Sequence, residues 1–185
     1  MVNLKVSFIL FLNLIKIKFK TLLFLNLILI KFKTLLFFNI MVHIAVLAMV
    51  KDEEKRIHVT LNSIKGQVDS LIIYDTGSTD KTLEIIKNFC SQNNIILHLK
   101  QGTFVDYSTS RNVSLEFADT FPQVDFIVLM DANDELQGGE ILRNLAETEV
   151  NNTEKSAYLL CQKLKRTTGM ISFYNVRMIK PRHGW

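Results

Sequence analysis

Residues 124–136 read V-D-F-I-V-L-M-D-A-N-D-E-L. The run Val124–Met130 has the length and apolarity of a buried strand, and it stops abruptly at Asp131. Asp131, Asn133, Asp134 and Glu135 then crowd its C-terminal end. Open α/β sheets bind ligands outside the carboxyl ends of their strands, and hard divalent cations seek oxygen ligands of this kind. By itself the cluster reads equally as a solvated acidic turn after a core strand, so its neighbours have to decide.

Upstream, the same pattern recurs. His43–Val50 (HIAVLAMV) is a continuous apolar run of strand length, broken by Lys51-Asp52-Glu53-Glu54, whose acids suit a helix N-terminus. Ile57, Leu61 and Ile64 follow at helical spacing, and Gly66 closes that helix. Val68–Tyr74 reads as a second strand, ending at Asp75. The turn Asp75-Thr76-Gly77-Ser78-Thr79-Asp80 then enters a helix capped by Thr79 or Asp80, with Leu83, Ile86, Phe89 and Cys90 as its inner stripe. Asn94–Lys100 predicts a third strand and Tyr107–Ala118 a helix carrying Arg111 and Asn112. Beyond the acidic cluster, Gly138-Gly139 precede a helix over Glu140–Thr148, with Leu142 and Leu145 inside. Ala157–Leu164 and Ile171–Ile179 read as antiparallel strands. The alternation predicts an α/β three-layer sandwich with a mainly parallel central sheet.

At 185 residues the chain suits one domain with a sizeable core. Its formal charge of +4 is unevenly placed: residues 1–41 hold six lysines and no acid, leaving 16 basic against 18 acidic residues in the remainder. The basic balance belongs to this leader, and the nucleic-acid class, which wants a basic domain face, loses its support. Cys90 and Cys161 have no C-x-x-C spacing and read as reduced core residues. His43, His58, His98 and His183 show no ligand spacing and read as structural or surface positions, and Lys51 as solvated.

Residues 12–24 (LNLIKIKFKTLLF) recur as residues 25–37 (LNLILIKFKTLLF), a low-complexity tandem repeat. Lysines 16, 18, 20, 31 and 33 interrupt every apolar window of the roughly 20 residues a membrane helix needs. Each costs on the order of 3 kcal/mol at mid-membrane, and no small-residue cleavage site follows. The leader reads as a membrane-surface segment, an anchor of unusual form, or an upstream translated repeat with Met41 the true start. The last is preferred, because MVHIAVLAMV is a natural domain beginning. The domain proper then covers residues 42–185.

Three features fall at one sheet edge, because each follows the C-terminal end of a strand: the acidic turn after Val50, the Asp75–Asp80 turn and the Asp131–Glu135 cluster. Asp75 can accept hydrogen bonds from a base or ribose. The Gly77-Ser78 backbone can approach a ligand closely, with a helix N-terminus behind it; the plain alternative is a capped turn. Arg111 is an ordinary surface charge unless a phosphate lies beside it, when it becomes a bidentate partner. No G-x-S-x-G, P-loop or G-x-G-x-x-G occurs, which weighs against hydrolase, P-loop and dinucleotide classes.

Four pieces stand in order: A-V-L-A-M-V-K-D-E-E-K-R-I at 45–57, I-I-Y-D-T-G-S-T-D-K-T at 72–82, S-R-N-V-S-L at 110–115 and I-V-L-M-D-A-N-D-E-L at 127–136. Together they resemble the family 2 glycosyltransferases, over about residues 43–180. The subgroup they look most like has a D-A-D-E type motif and includes bacterial lipooligosaccharide glucosyltransferases. The resemblance implies a GT-A (Rossmann-like) fold, a nucleotide-sugar donor, commonly UDP-linked, and a divalent cation, Mn or Mg. It implies inverting transfer to a glycan, lipid or protein acceptor.

Carried onto this chain, Asp75 contacts the nucleoside with Gly77 and Ser78 beside it, Val50 to Glu54 line the base pocket, and Arg111 faces the nucleotide. Asp131 and Asn133 occupy the two positions of the metal motif. Asn133 stands where the family usually has an acid; its amide oxygen can ligate but brings no charge, which leaves Asp134 as the substitute. The family's acceptor-side region and catalytic base lie beyond the metal motif, so the base is expected past Trp185 and the chain reads as C-terminally truncated. The first alternative is a non-catalytic nucleotide-sugar-binding remnant. A nucleotidyltransferase ranks lower, because Met49–Glu54 contains no glycine-rich loop. The expected location is cytoplasmic, peripheral at a membrane.

Overall fold

The computed structural model describes residues 41–184 and, in the leader, Asn26 alone; the readings of residues 1–40 and of the chain past Trp185 lie outside the described residues. Residues Val42–Trp185 form a unit of their own. Its axis is β1 (Ile44–Val50). Period-two alternation sends Ile44, Val46, Ala48 and Val50 to one face, and Ala45 and Leu47 to the other. Both faces are covered, which is why the strand is a continuous apolar run rather than an alternating one.

β2 (Ser70–Asp75) and β4 (Phe126–Leu129) flank β1 in parallel, and β3 (Ile96–Gln101) lies outside β2. β5 (Ala157–Arg166) and β6 (Gly169–Ile179) form an antiparallel hairpin. β6 joins the sheet beside β4 through Ile127↔Ile179 and Val128↔Met178. The strand order is β3-β2-β1-β4-β6-β5.

Helices α1 (Ile57–Ile64), α2 (Thr82–Asn93), α3 (Tyr107–Asp119) and α4 (Gly139–Glu149) follow the like-numbered strands. The chain steps outward from β1 to β3 and then returns past β1 to β4. Right-handed crossovers therefore place α1 and α2 on one face and α3 on the other. The core divides accordingly. Ile57, Leu61, Ile64, Ile86, Cys90, Leu142 and Ala146 pack with Phe126 and Met178 on one side; Leu115, Phe117 and Ala118 pack with Leu47, Ile72 and Ile127 on the other. The three-layer sandwich with a mainly parallel sheet is the architecture found.

Several local expectations change. Asn94 is not in β3: it takes a left-handed conformation (φ 55°) and closes α2, its N–H donating to the Cys90 carbonyl. α3 gains an N-cap, Asp106, whose carboxylate accepts from the Thr109 N–H at 2.8 Å. The acids after β1 do not enter the first turn of α1, which has none, and Arg56 stands at its start without a side-chain cap. Neither Thr79 nor Asp80 is the N-cap of α2, a position that Lys81 holds without a side-chain hydrogen bond: the Thr79 N–H and hydroxyl both donate to Asp52, and Asp80, one residue before the cap, accepts from the Thr82 N–H at 2.9 Å. Cys90 is buried as expected, but Cys161 is exposed on β5. β5 is the outermost strand, so an apolar run there does not imply burial.

Candidate functional site

The C-terminal edge of β2, β1 and β4 carries two constellations. The first is a clasp between the loop after β1 and the turn after β2. Asp52, itself left-handed (φ 51°), accepts from the Thr79 N–H at 2.7 Å and the Asp80 N–H at 3.3 Å. Its own N–H donates to the Ser78 hydroxyl at 3.1 Å. The Glu54 N–H donates to Asp80 at 3.0 Å, and the Glu54 carboxylate accepts from the Lys81 N–H at 3.2 Å. Burial raises the Asp80 carboxyl, but hydrogen bonds from the Thr82 hydroxyl and from the Glu54 and Thr82 N–H groups outweigh it and hold it below the ordinary Asp range.

Asp75, the last residue of β2, is fully buried. One carboxylate oxygen accepts from the Ser78 N–H at 3.0 Å and the other from the Gln101 amide at 3.1 Å. Gly77 has φ +104°, a conformation that L side chains rarely adopt, and it lets the chain turn between Asp75 and Ser78. Val50 pairs with Asp75 in the sheet, and its carbonyl accepts from the Thr76 N–H at 3.0 Å and the Thr76 hydroxyl at 3.2 Å. Val50, Asp75, Gly77 and Ser78 are thus brought together, with Asp52 and Gln101 as further partners, and Glu54 is tied to the same turn through Asp80 and Lys81.

The second constellation centres on Asp131. Arg111 on α3 approaches one carboxylate oxygen at 3.5 Å, and Arg177 on β6 approaches the other at 3.4 Å. Arg177 also lies 3.5 Å from Asp134 and donates to the Leu129 carbonyl at 3.2 Å. A tight turn aligns the two acids: the Asp131 N–H donates to the Asp134 carboxylate at 3.0 Å, and the Asp134 N–H donates to the Asp131 carbonyl at 3.0 Å. The buried Thr60 hydroxyl pins this turn to α1 through the Asp134 carbonyl at 2.7 Å.

Arg111 is steadied by the Tyr107 hydroxyl at 2.9 Å. Arg177 is steadied by Gln162: with the amide oriented by its donors, the oxygen accepts from two guanidinium nitrogens at 2.7 and 3.1 Å. The guanidinium side chains are only 17% and 18% exposed, whereas the Asp131 side chain is 43% exposed. One guanidinium nitrogen of Arg111 is buried and has no hydrogen-bond partner among the described residues. Asn133 and Glu135 are exposed.

Asp75 and Asp131 close strands on either side of β1, so the two constellations face each other across about 10 Å of sheet edge. Of the residues gathered here, the sequence reading named Asp131, Asp134 and Arg111, and it did not name Arg177, Gln162 or Thr60. The one available signal for Arg177 was a lone charge in the apolar run N-V-R-M-I.

Chemically, two cations here face two carboxylates, with an N–H to spare. An anion between the arginines recovers the desolvation cost of that N–H. Among the described residues, no group of three or more His, Cys, Asp and Glu side chains could hold a metal ion. At the end of β4 the carboxylates aligned by the turn are Asp131 and Asp134, with the exposed Asn133 amide between them in sequence. That set suits a hard cation which keeps waters and takes its remaining ligands from a substrate's phosphates, as Mg²⁺ does with one or two carboxylates.

A family model described as "Glycosyl transferase family 2" matches residues 46–157, more than half of the chain. The chain belongs to glycosyl transferase family 2. Its relatives include a TPR repeat-containing protein of Synechococcus elongatus, 33% identical over 52% of this chain and 22% of the relative. Another is the SPbeta prophage-derived glycosyltransferase SunS of Bacillus subtilis, 33% identical over 46% of this chain and 18% of SunS. The chain thus spans about a fifth of the length of these relatives.

Among solved structures, S. aureus TarS 1-349 superposes with a TM-score of 0.50 at 22% identity, covering 69% of this chain and 37% of that one. The mannosyltransferase PcManGT of Pyrobaculum calidifontis, in complex with GDP-Man and Mn²⁺, gives 0.52 at 17% identity, covering 68% and 36%. These likenesses establish the fold as that of the GT-A glycosyltransferases.

Proposed function

We propose that this sheet edge binds a nucleotide-sugar donor, UDP-linked as in the resemblance described above, and that the protein transfers its sugar with inversion to a glycan, lipid or protein acceptor. One observation carries the reading: Arg111 and Arg177 converge on Asp131, and Arg111 has a buried N–H with no partner among the described residues. The donor's diphosphate lies between the two arginines. As the sugar–phosphate bond breaks, negative charge grows on the leaving nucleoside diphosphate, and preset guanidinium groups stabilise it without reorganising. Arg177 is held for this by Gln162, and Arg111 by Tyr107.

Asp131, with Asn133 or Asp134, would hold a divalent cation, Mn or Mg. When bound, that cation neutralises phosphate charge as a Lewis acid. The charges balance: two arginines already offset Asp131 and Asp134, so a diphosphate needs about two further positive charges, which a divalent cation supplies. Asp75 acts through the backbone. Its carboxylate shapes the Gly77-Ser78 turn, which with Val50 and Glu54 borders the nucleoside pocket. The D-A-N-D sequence places the chain near the D-A-D-E subgroup. The proposal keeps a cytoplasmic location with peripheral membrane contact through residues 1–41; no helix among the described residues is long and apolar enough to cross a membrane.

A second reading, donor binding without transfer, is favoured by a separate observation. Asp52, Glu54, Asp75 and Asp80 are engaged chiefly with backbone N–H groups, and Asp131 and Asp134 with arginines. None of these six is placed to take the proton of an acceptor hydroxyl. Assays of UDP-sugar hydrolysis and of transfer to a panel of glycan, lipid and peptide acceptors, run beside binding, separate the two. Turnover supports the enzyme; tight cation-dependent binding without any turnover supports the binding remnant; absence of binding to any nucleotide sugar contradicts both.

A further inference from the structure

We propose that the β5–β6 hairpin is a docking surface for an anionic membrane. Glu154 is the last acidic residue in the chain. After it come Lys155, Lys163, Lys165, Arg166, Arg177, Lys180 and Arg182, seven basic residues without one acid. Residues 42–154 hold nine Lys and Arg against all 18 acids. Four of the seven are engaged elsewhere, Lys155 with Glu149, Arg177 with Asp131 and Asp134, and Lys180 and Arg182 with backbone carbonyls; Lys163, Lys165 and Arg166 remain together at the tip of the hairpin, a local positive cluster that suits an anionic partner.

The hairpin also extends well past its support. β6 pairs with β4 at Met178 and Ile179 alone, while its pairing with β5 continues out to Arg166↔Gly169. Along this ribbon Leu159, Leu164, Met170, Ile171, Phe173, Tyr174 and Val176 are exposed, Met170 at 61% and Tyr174 at 71%. Cross-strand partners share a face, so Leu164 and Ile171 lie on one side, while Lys165 and Met170 lie on the other with Lys163 and Ser172. One face of the tip therefore carries Lys163, Lys165 and Met170, and the other carries Leu164, Arg166 and Ile171.

Edge protection explains part of this, since β5 is the outermost strand and lysines deter strand pairing. It does not explain the apolar residues of β6. The same lysines disfavour a second copy as occupant, because two basic ribbons repel. Nucleic acid would satisfy the charge, but such interfaces are polar and leave Met170, Ile171 and Leu164 in water. An anionic bilayer surface takes both: basic groups meet the headgroups, and Leu, Met, Ile, Phe and Tyr enter the headgroup–acyl boundary.

The test uses the full chain with phosphatidylcholine vesicles, with and without phosphatidylserine. The parent should bind only the anionic vesicles, and less at high salt. The variant Lys163→Glu/Lys165→Glu/Arg166→Glu should lose at least about tenfold in vesicle partition. In the otherwise unchanged parent, Met170→Trp should add an emission that shifts to the blue on anionic vesicles, read against Trp185. This second measurement does not depend on how the charge-reversed variant folds. The proposal is overturned by a folded charge-reversed variant that binds like the parent, which assigns binding to residues 1–40. Equal binding to both vesicle types, an unshifted emission from position 170, or dimerisation or RNA binding lost with the same three lysine and arginine changes while vesicle binding persists, also overturns it.

Discussion

Asp131 stands between two guanidinium groups at 3.4 and 3.5 Å, longer than a tight charge-assisted bond of about 2.8 Å. Such loose pairing leaves the carboxylate able to exchange an arginine for another partner. If the arginines receive the donor's diphosphate, Arg177→Ala should raise the UDP dissociation constant roughly 10- to 100-fold, the equivalent of a hydrogen bond to a charged group. Arg177→Lys should recover only part, because it loses the fork that Gln162 orients. Calorimetric titration with UDP checks both; unchanged affinity in Arg177→Ala removes Arg177 from the site. Asp131 and Arg111 were legible in the sequence because each sits in a local motif. Arg177 was not, for a physical reason. It is the unpaired residue where the β5–β6 register shifts between Tyr158 and Leu159, and a bulge re-aims a side chain in a way no local pattern encodes.

The clasp is the element on which the nucleoside side of the edge depends. Asp52 satisfies two N–H groups at the turn into α2, so Asp52→Ala should destabilise the fold by about 1–2 kcal/mol, as loss of a capping side chain does; urea unfolding measures this. Asp80 adds a pH dependence. Its folded carboxyl is held below the ordinary value of 3.8, so its contribution is complete above that value and is lost as pH falls through the folded pKa. The parent should therefore lose stability on acidification more steeply than Asp80→Asn does below pH 3.8, as followed by circular dichroism. Parallel acid curves would contradict this. The strands themselves were plain from their apolar runs. Their limits were less so: Asn94 and Asp106 act through left-handed and capping geometry, which the apolar period does not report.

At the scale of the molecule, the strand–helix alternation and the handedness rule together were enough to give the three-layer fold and to bring three strand ends to one edge. What they could not give was how fully that edge is saturated: Asp75 was expected to meet the nucleoside, yet it is buried with both oxygens engaged. Nor did an apolar run distinguish a central strand from the outer ribbon, which is why Cys161 was read as core. Burial pushes the Cys90 thiol up to about 11, while Cys161 is exposed. Native protein should therefore show one fast thiol with an aromatic disulfide reagent and a second only on unfolding; two fast thiols would contradict the packing of α2.

The central claim is that the Asp131 edge takes a nucleotide-sugar diphosphate together with a divalent cation. Titrating UDP into the parent and into Asp131→Ala, each with and without Mn²⁺, tests it most directly. Cation-dependent binding in the parent that disappears in a normally folded Asp131→Ala variant is the predicted result. Binding that is indifferent to Mn²⁺, or that survives unchanged in Asp131→Ala, would contradict it.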